Sequence, residues 1–151
     1  MDIQVVRAEH GDSSVVRRLL QLYQHDFSEF DGRDVDAHGE YAYRYLDHYW
    51  TDADRHPFLF RVDGHWAGLA LVRSGPPADM AEFFVLRKYR RHGVGLRAAE
   101  EIFRMFPGPW TVRQHRRNTS ATKFWRAAIR YAYVERESPD EVTQEFVAGS
   151  E

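Results

Sequence analysis

Arg90, Gly93 and Gly95 stand in the order R-x-x-G-x-G, with Arg91, His92, Val94 and Leu96 filling and flanking the motif. A helical pattern starts at Val94. Glycine lets a backbone approach a bulky anion closely and take a positive φ. The first N–H groups of a helix have no intrahelical partner and lie at the positive end of its dipole. This chemistry suits a pyrophosphate held mainly by main chain, with Arg90, Arg91 and His92 adding charge. Shortly upstream stand two carboxylates, Asp79 and Glu82, at the head of an apolar run. A carboxylate beside an attacking amine can take its proton. The plainer reading of each is a solvated strand end.

The motif needs a strand before it and a helix after it. Residues 80–86 form the apolar run, and residues 94–106 repeat apolar positions at helical spacing, with Leu96, Ala99, Ile102, Phe103 and Phe106 on one side. Pro107-Gly108-Pro109 ends that helix. Upstream, residues 3–8 are a short β-type run. Asp12-Ser13-Ser14 offers helix caps, and Val15, Val16, Leu19, Leu20, Tyr23, Phe27 and Phe30 then recur at helical spacing. Tyr41, Tyr45 and Tyr49 lie four apart, which predicts a second helix, although Tyr41, Tyr43 and Tyr45 would also alternate along a strand. Residues 58–62 and 66–72 flank Asp63-Gly64, a hairpin signal. Downstream come a strand over 110–114, a helix over 120–129, and a closing hairpin of 131–136 with 142–147. The expected order is β-α-α-β-β-β-α-β-α-β-β, an α+β single domain over 1–151 with helices flanking a mixed sheet.

Three nucleotide motifs compete for the glycines. A P-loop needs Gly-Lys-Ser/Thr, and Gly95-Leu96-Arg97 lacks it. The Rossmann pattern G-x-G-x-x-A is met by Gly93, Gly95 and Ala98, but there the first glycine directly follows the strand. Here residues 87–92 intervene, and the acidic residue expected after the next strand is replaced by His115-Arg116-Arg117. The third pattern is R-x-x-G-x-G after Phe83-Phe84-Val85 and a short connector. With Asn118, Ala121, Phe124 and Trp125 beyond the next strand, the stretch resembles the GNAT N-acetyltransferase family, as does the element order. An accidental glycine-and-arginine helix start is the bland alternative.

The resemblance implies acetyl-CoA as co-substrate, lying between two splayed parallel strands, 80–86 and 110–114. It places backbone groups of Phe83, Phe84 and Val85 on the pantetheine arm, with one N–H, that of Val85, facing the thioester carbonyl. The amides of 91–96 would hold the pyrophosphate, and Asn118 and Trp125 would stand at the cofactor. Transfer would run directly to a primary amine, which agrees with a chain lacking cysteine. Glu82 resembles an acidic residue preceding the same Phe-Phe-Val in polyamine acetyltransferases. Asp79 falls where the histone-acetylating branch has its base. Trp125 replaces a tyrosine that commonly protonates the departing thiolate. Indole cannot act as that acid at neutral pH. Water, Tyr131 or Tyr133 could replace it, or no acid is needed. The same departure permits a catalytically silent acetyl-CoA sensor or interaction domain.

The family usually binds its acceptor with the region that here spans 23–50. Asp26, Glu29, Asp31, Asp34, Asp36, Glu40 and Asp47 alternate there with Phe27, Phe30, Tyr41, Tyr43, Tyr45, Tyr49 and Trp50. Carboxylates and aromatic faces suit a small cationic amine, with Phe27, Glu29, Phe30 and Tyr45 as the expected contacts. A solvated acidic loop is the alternative.

The totals exclude other classes. At 151 residues, 43% hydrophobic and 15% aromatic, the chain is long and apolar enough for one folded core. A net charge of −2 gives no overall pull towards nucleic acid or anionic membrane. Basic residues at 87–91 and 113–117 form no nucleic-acid module and would equally surround the phosphates of CoA. No apolar run is long enough to span a bilayer and residues 1–7 lack a signal pattern, so a cytoplasmic protein is expected. The 8 histidines show no metal-ligand spacing, and no metal is expected. A homodimer is left open.

Overall fold

The computed structural model describes residues 1–149. A single seven-stranded sheet runs through it in the order β1-β2-β3-β4-β5-β7-β6. The strands are β1 (Ile3–Arg7), β2 (Arg55–Val62), β3 (His65–Arg73), β4 (Ala78–Val85), β5 (Gly108–His115), β6 (Tyr133–Glu137) and β7 (Glu141–Ala148). The helices are α1 (Ser13–Asp31), α2 (Val94–Met105) and α3 (Thr119–Ala128). All neighbours are antiparallel except β4 and β5.

The sheet carries a core on each face. On one side Val94, Ala98, Ala99, Ile102 and Phe103 of α2 and Trp125 and Ala128 of α3 pack on Phe60, Ala70, Met80, Trp110, Val112 and Phe146. On the other, Val16 and Leu20 of α1 pack on Leu59, Leu69, Leu71 and Phe84. Central strand β3 is buried on both faces from Ala67 to Val72, so it reads as a continuous apolar run. Beyond β4 the α1 side changes character. In β5 and β7 only alternate residues are buried, on the side of α2 and α3. Thr111, Arg113, Glu141 and Thr143 therefore face away from that core.

The helix expected from Tyr41, Tyr45 and Tyr49 does not form. Residues 40–43 are irregular, and only a one-turn 3₁₀ segment, Leu46–Tyr49, follows. The backbone groups that a helix would use are taken elsewhere. Gln21 on α1 donates to the Tyr41 carbonyl at 2.8 Å and accepts the Tyr41 N–H at 2.7 Å. Tyr45 then adopts a left-handed φ of 66°, which a helix cannot continue through. Two smaller expectations also change. Asp12 accepts from the Glu9 N–H and makes no side-chain cap to α1. Leu96 is exposed in the first turn of α2, while Val94 and Ala98 face the core.

Candidate active site

Strands β4 and β5 pair only at Ala78↔Trp110 and Asp79↔Thr111, and then part. On their outer edges both stay paired, β4 with β3 and β5 with β7. The β3–β4 register shifts between Val72↔Met80 and Leu71↔Glu82, leaving Ala81 as a bulge that bends β4. From α3, Trp125 and Phe124 press on the Phe83 ring at 4.9 and 5.6 Å, filling one side of the opening. The result is a cleft of about 240 Å³ between the parted strands. It is lined by Asp79 to Phe83, Arg113, Gln114 and His115, Tyr23 and Phe27 of α1, Asn118, Ala121 and Trp125 of α3, and Glu141.

The inner edge of β4 presents unpaired main chain. The Leu86 N–H donates to the Ala67 carbonyl across β3. In an antiparallel ladder the groups alternate, so the Phe83 and Val85 N–H groups point towards the cleft. Phe84 turns its backbone to β3 in the same ladder, and its side chain is buried on the α1 side with the Tyr23 ring at 5.6 Å, so the expected cofactor contact from Phe84 has neither group facing the cleft.

The loop after β4 leads into the start of α2. Gly93 is the helix N-cap with φ 79°, and no atom lies within 4 Å of a Cβ built there. The first helical bond runs from the Arg97 N–H to the Gly93 carbonyl, so the N–H groups of Val94, Gly95 and Leu96 precede the ladder. Gly95 has a different reason to be glycine. A Cβ there would sit 2.9 Å from the Phe124 ring, so its constraint is packing against α3. The side chains of Arg91, His92 and Arg97 are exposed and have no partner among the described residues. Arg90 is engaged internally: it donates to the Val85 carbonyl at 2.8 Å and to Asp26 at 3.0 Å. Arg87 binds the other Asp26 oxygen at 2.9 Å. Asp26 thus ties α1 to the loop.

Asn118 caps α3, its side-chain oxygen accepting from the Ala121 N–H at 3.2 Å. Trp125 is 5% exposed and packs edge-on to Phe83 and Phe124. The alternative acids do not reach this cleft. Tyr131 lies flat on Phe146 beside a different groove, and Tyr133 is exposed on β6.

Glu82 sits at the α1 side of the cleft. Burial pushes its carboxyl up to about 7, against the opposing pull of the Tyr43 and Tyr23 hydroxyls and Arg33. Asp79 is also raised by burial, with Arg113 and Arg73 lowering it and Glu141 raising it further. Arg113 approaches Asp79 at 3.9 Å. Tyr23 and Tyr43 are both raised in turn, chiefly by burial and then by the Glu82 charge.

Of the expected acceptor contacts, Phe27 lines the cleft and Phe30 stacks on His115 behind it, with centroids 6.1 Å apart. Glu29 is exposed and away from the cleft lining. Tyr45 turns outward, 54% exposed, against Arg55 and His48. Most acidic groups of 23–50 have local partners: Asp26 with Arg87 and Arg90, Asp31 with Arg33, and Glu40 with Arg17. Asp36 accepts from the N–H groups of His38 and Glu40 in its own loop. The basic stretches are similarly occupied, Arg113 by Asp79 and Arg116 by Glu137. Sequence spacing singled out neither Arg113 nor Glu141 for this cleft, because each is a single residue on a strand far along the chain. His115 was legible only as part of a basic run. Its Nδ1 accepts the Arg117 N–H at 3.1 Å. Among the described residues no group of three His, Asp or Glu is placed to hold a metal, and no helix is long and apolar enough to cross a membrane.

Solved structures share this architecture. An acetyltransferase from Thermus thermophilus superposes with a TM-score of 0.75 at 17% identity, covering 97% of each chain. The ribosomal-protein-S18-alanine N-acetyltransferase from Escherichia coli gives 0.71 at 12% identity, over 99% of this chain and 96% of that one. Spermidine N-acetyltransferase from Vibrio cholerae, in complex with CoA and spermine, gives 0.70 at 9% identity, over 97% and 95%. At these identities the likeness is one of fold. No curated protein matches the chain closely enough to count as a relative. Residues 16–128 match the acetyltransferase (GNAT) family, a span that holds most of α1, the parted strands, the glycine loop and α3, and the chain belongs to that family.

Proposed function

We infer that the protein moves an acetyl group from acetyl-CoA directly to a primary amine, with Glu82 taking the amine proton. The observation that carries this reading is a free main-chain edge of β4 that runs from a half-buried carboxylate lining the cleft towards a glycine-started helix. The residues present fit the co-substrate: the inner edge of β4 can pair with an extended pantetheine arm as an added strand would. The amides of 93–96 suit its pyrophosphate, and Arg91, His92 and Arg97 supply uncompensated charge.

In the step itself the amine nitrogen bonds to the thioester carbon and the C–S bond breaks. The amine proton goes to the Glu82 carboxylate, and sulfur leaves as thiolate. The Val85 N–H, aimed into the cleft, would face the carbonyl oxygen as charge develops on it. A thiol pKa of about 8.5 makes the thiolate a fair leaving group without a tyrosine acid. The acceptor we assign is a small cationic amine. Its support is the cleft itself, where Asp79, Glu82 and Glu141 outnumber Arg113, rather than the loop carboxylates that arginines already neutralise.

Thiol release from acetyl-CoA across polyamines, amino sugars, neutral amines and peptide N-termini tests both parts. Release with the cationic small amines supports the reading. Release confined to neutral amines or peptides removes the acceptor assignment. Trp125, standing where a tyrosine is common, favours one second reading, a silent acetyl-CoA sensor. Calorimetric binding of acetyl-CoA with no turnover on any amine would establish it.

A further inference from the structure

The carboxylates of the cleft stand on its strands, Asp79 and Glu82 on β4 and Glu141 on β7, while its α1 wall is aromatic, built from Tyr23 and Phe27. An exposed aromatic ring in an amine site is a surface for the substrate's cation. Here a cation of the protein already sits on it. α1 stops at Gly32, whose left-handed φ of 68° turns the chain back. Arg33 then folds along the helix it has just left. Its Nε donates to Asp31 at 2.6 Å and its Nη1 donates to Gln24 Oε1 at 2.8 Å. Its guanidinium carbon comes to rest 5.8 Å from the centre of the Phe27 ring. Next to it Arg117 donates to the Phe30 carbonyl at 3.3 Å, with no carboxylate partner among the described residues. Two guanidinium groups thus meet one carboxylate, Asp31, at this end of α1.

A helix C-terminus attracts cations in any protein, which accounts for arginines near Phe30 and Asp31. It does not account for Gln24. That side chain is 2% exposed, and its Nε2 is buried without a partner. A buried orphaned donor costs stability, and the only hydrogen bond the side chain makes is the one that fixes Arg33. We propose that Arg33 is a specificity-determining residue of the acceptor site: held by Gln24 and Asp31 on the Phe27 ring, it lets the acceptor bring one ammonium to the strand carboxylates and turns away a second cation from the α1 wall. The inference rests on the acceptor being a small cationic amine. Within that class it selects molecules with a single ammonium, an amino sugar over a polyamine. A second ammonium reaching Phe27 meets the guanidinium within about a Debye length, ~10 Å at 0.1 M salt.

The test is thiol release from acetyl-CoA with straight-chain monoamines and the terminal diamines of the same chain length, for the wild type, Arg33→Gln, Arg33→Lys and Gln24→Leu. The quantity read is the ratio of kcat/KM for diamine to that for monoamine. Arg33→Gln is expected to raise it about threefold to tenfold with the longer chains, less at high salt. Arg33→Lys keeps the charge but loses the planar fork, and holds the wild-type ratio. Gln24→Leu frees the guanidinium without removing it and shifts the ratio the same way by less. It carries the test alone should Arg33→Gln fold poorly. A ratio unchanged in Arg33→Gln overturns the inference. So does a shift in Arg33→Lys as large as that in Arg33→Gln, since the fork and not the charge would then matter. Release with neither kind of amine overturns the acceptor reading itself, and the inference with it, so the two failures are distinguishable.

Discussion

The donor and acceptor walls of the cleft hold their polar groups in opposite states. On the donor wall the N–H groups of 93–96 and the side chains of Arg91, His92 and Arg97 stand without protein partners among the described residues. On the acceptor wall several charges already have one: Asp26, Asp31 and Glu40 are held by arginines, and burial against neighbouring tyrosines perturbs Glu82. A wall that binds a polyanion through main chain gains by leaving donors open. A wall that presents one reactive carboxylate gains by burying it and satisfying its surroundings, which tunes its pKa towards neutrality. Asp26 joins the two walls, since it belongs to α1 yet grips Arg87 and Arg90 of the loop.

The difference can be broken from the donor side first. Gly95→Ala puts a Cβ 2.9 Å from the Phe124 ring. Overpacking of this kind costs about 1–3 kcal/mol, and displacement of α3 should weaken acetyl-CoA binding about tenfold by calorimetry. Adding Phe124→Leu should recover most of it. Recovery failing would mean that Gly95 serves the ligand and not the packing. The acceptor wall breaks differently. Gln21→Ala removes two hydrogen bonds to the Tyr41 backbone, lowering stability by about 1–2 kcal/mol in denaturant melts. It should raise the KM for the amine severalfold and leave acetyl-CoA affinity unchanged. The smallest effect belongs to the joint between the walls. Asp26→Asn removes the charge that pairs with two exposed arginines, and exposed pairs contribute about 1 kcal/mol or less. A twofold to threefold change in acetyl-CoA affinity, diminishing with added salt, is expected.

The same contrast governs what the sequence revealed. The donor wall is nearly continuous in sequence: strand, connector, glycines and helix follow one another over residues 80–99, and each signal is local. Even there, spacing could not tell that Gly93 answers to backbone conformation and Gly95 to the Phe124 ring, or that Arg90 turns onto Val85 and Asp26. The acceptor wall is assembled from distant pieces. Tyr41, Tyr45 and Tyr49 have helical spacing, but Gln21, some 20 residues earlier, takes the backbone groups that a helix would need. The choice between Tyr43 inward and Tyr45 outward follows from that long-range clamp, so Tyr45 was singled out and Tyr43 was not. Arg113 and Glu141 join Asp79 only through the β4–β5–β7 register, which no local pattern encodes.

The burial of Glu82 also bears on stability. A carboxyl whose folded pKa is raised to about 7 is still neutral in the fold where the unfolded chain has already ionised it. Folding therefore loses stability as pH rises from the unfolded value near 4.3 through 7. Glu82→Gln should then melt higher than the wild type at alkaline pH, with the gap closing below about pH 5.

The most direct test pairs that substitution with transfer. For the wild type and Glu82→Gln, acetyl-CoA affinity is measured by calorimetry and kcat/KM for the best amine is followed across pH. Proton transfer to Glu82 predicts equal affinity, a fall in kcat/KM of about 10²–10⁴-fold, and loss of the acidic limb near pH 7. Retained turnover with the limb unchanged would contradict Glu82 as the base.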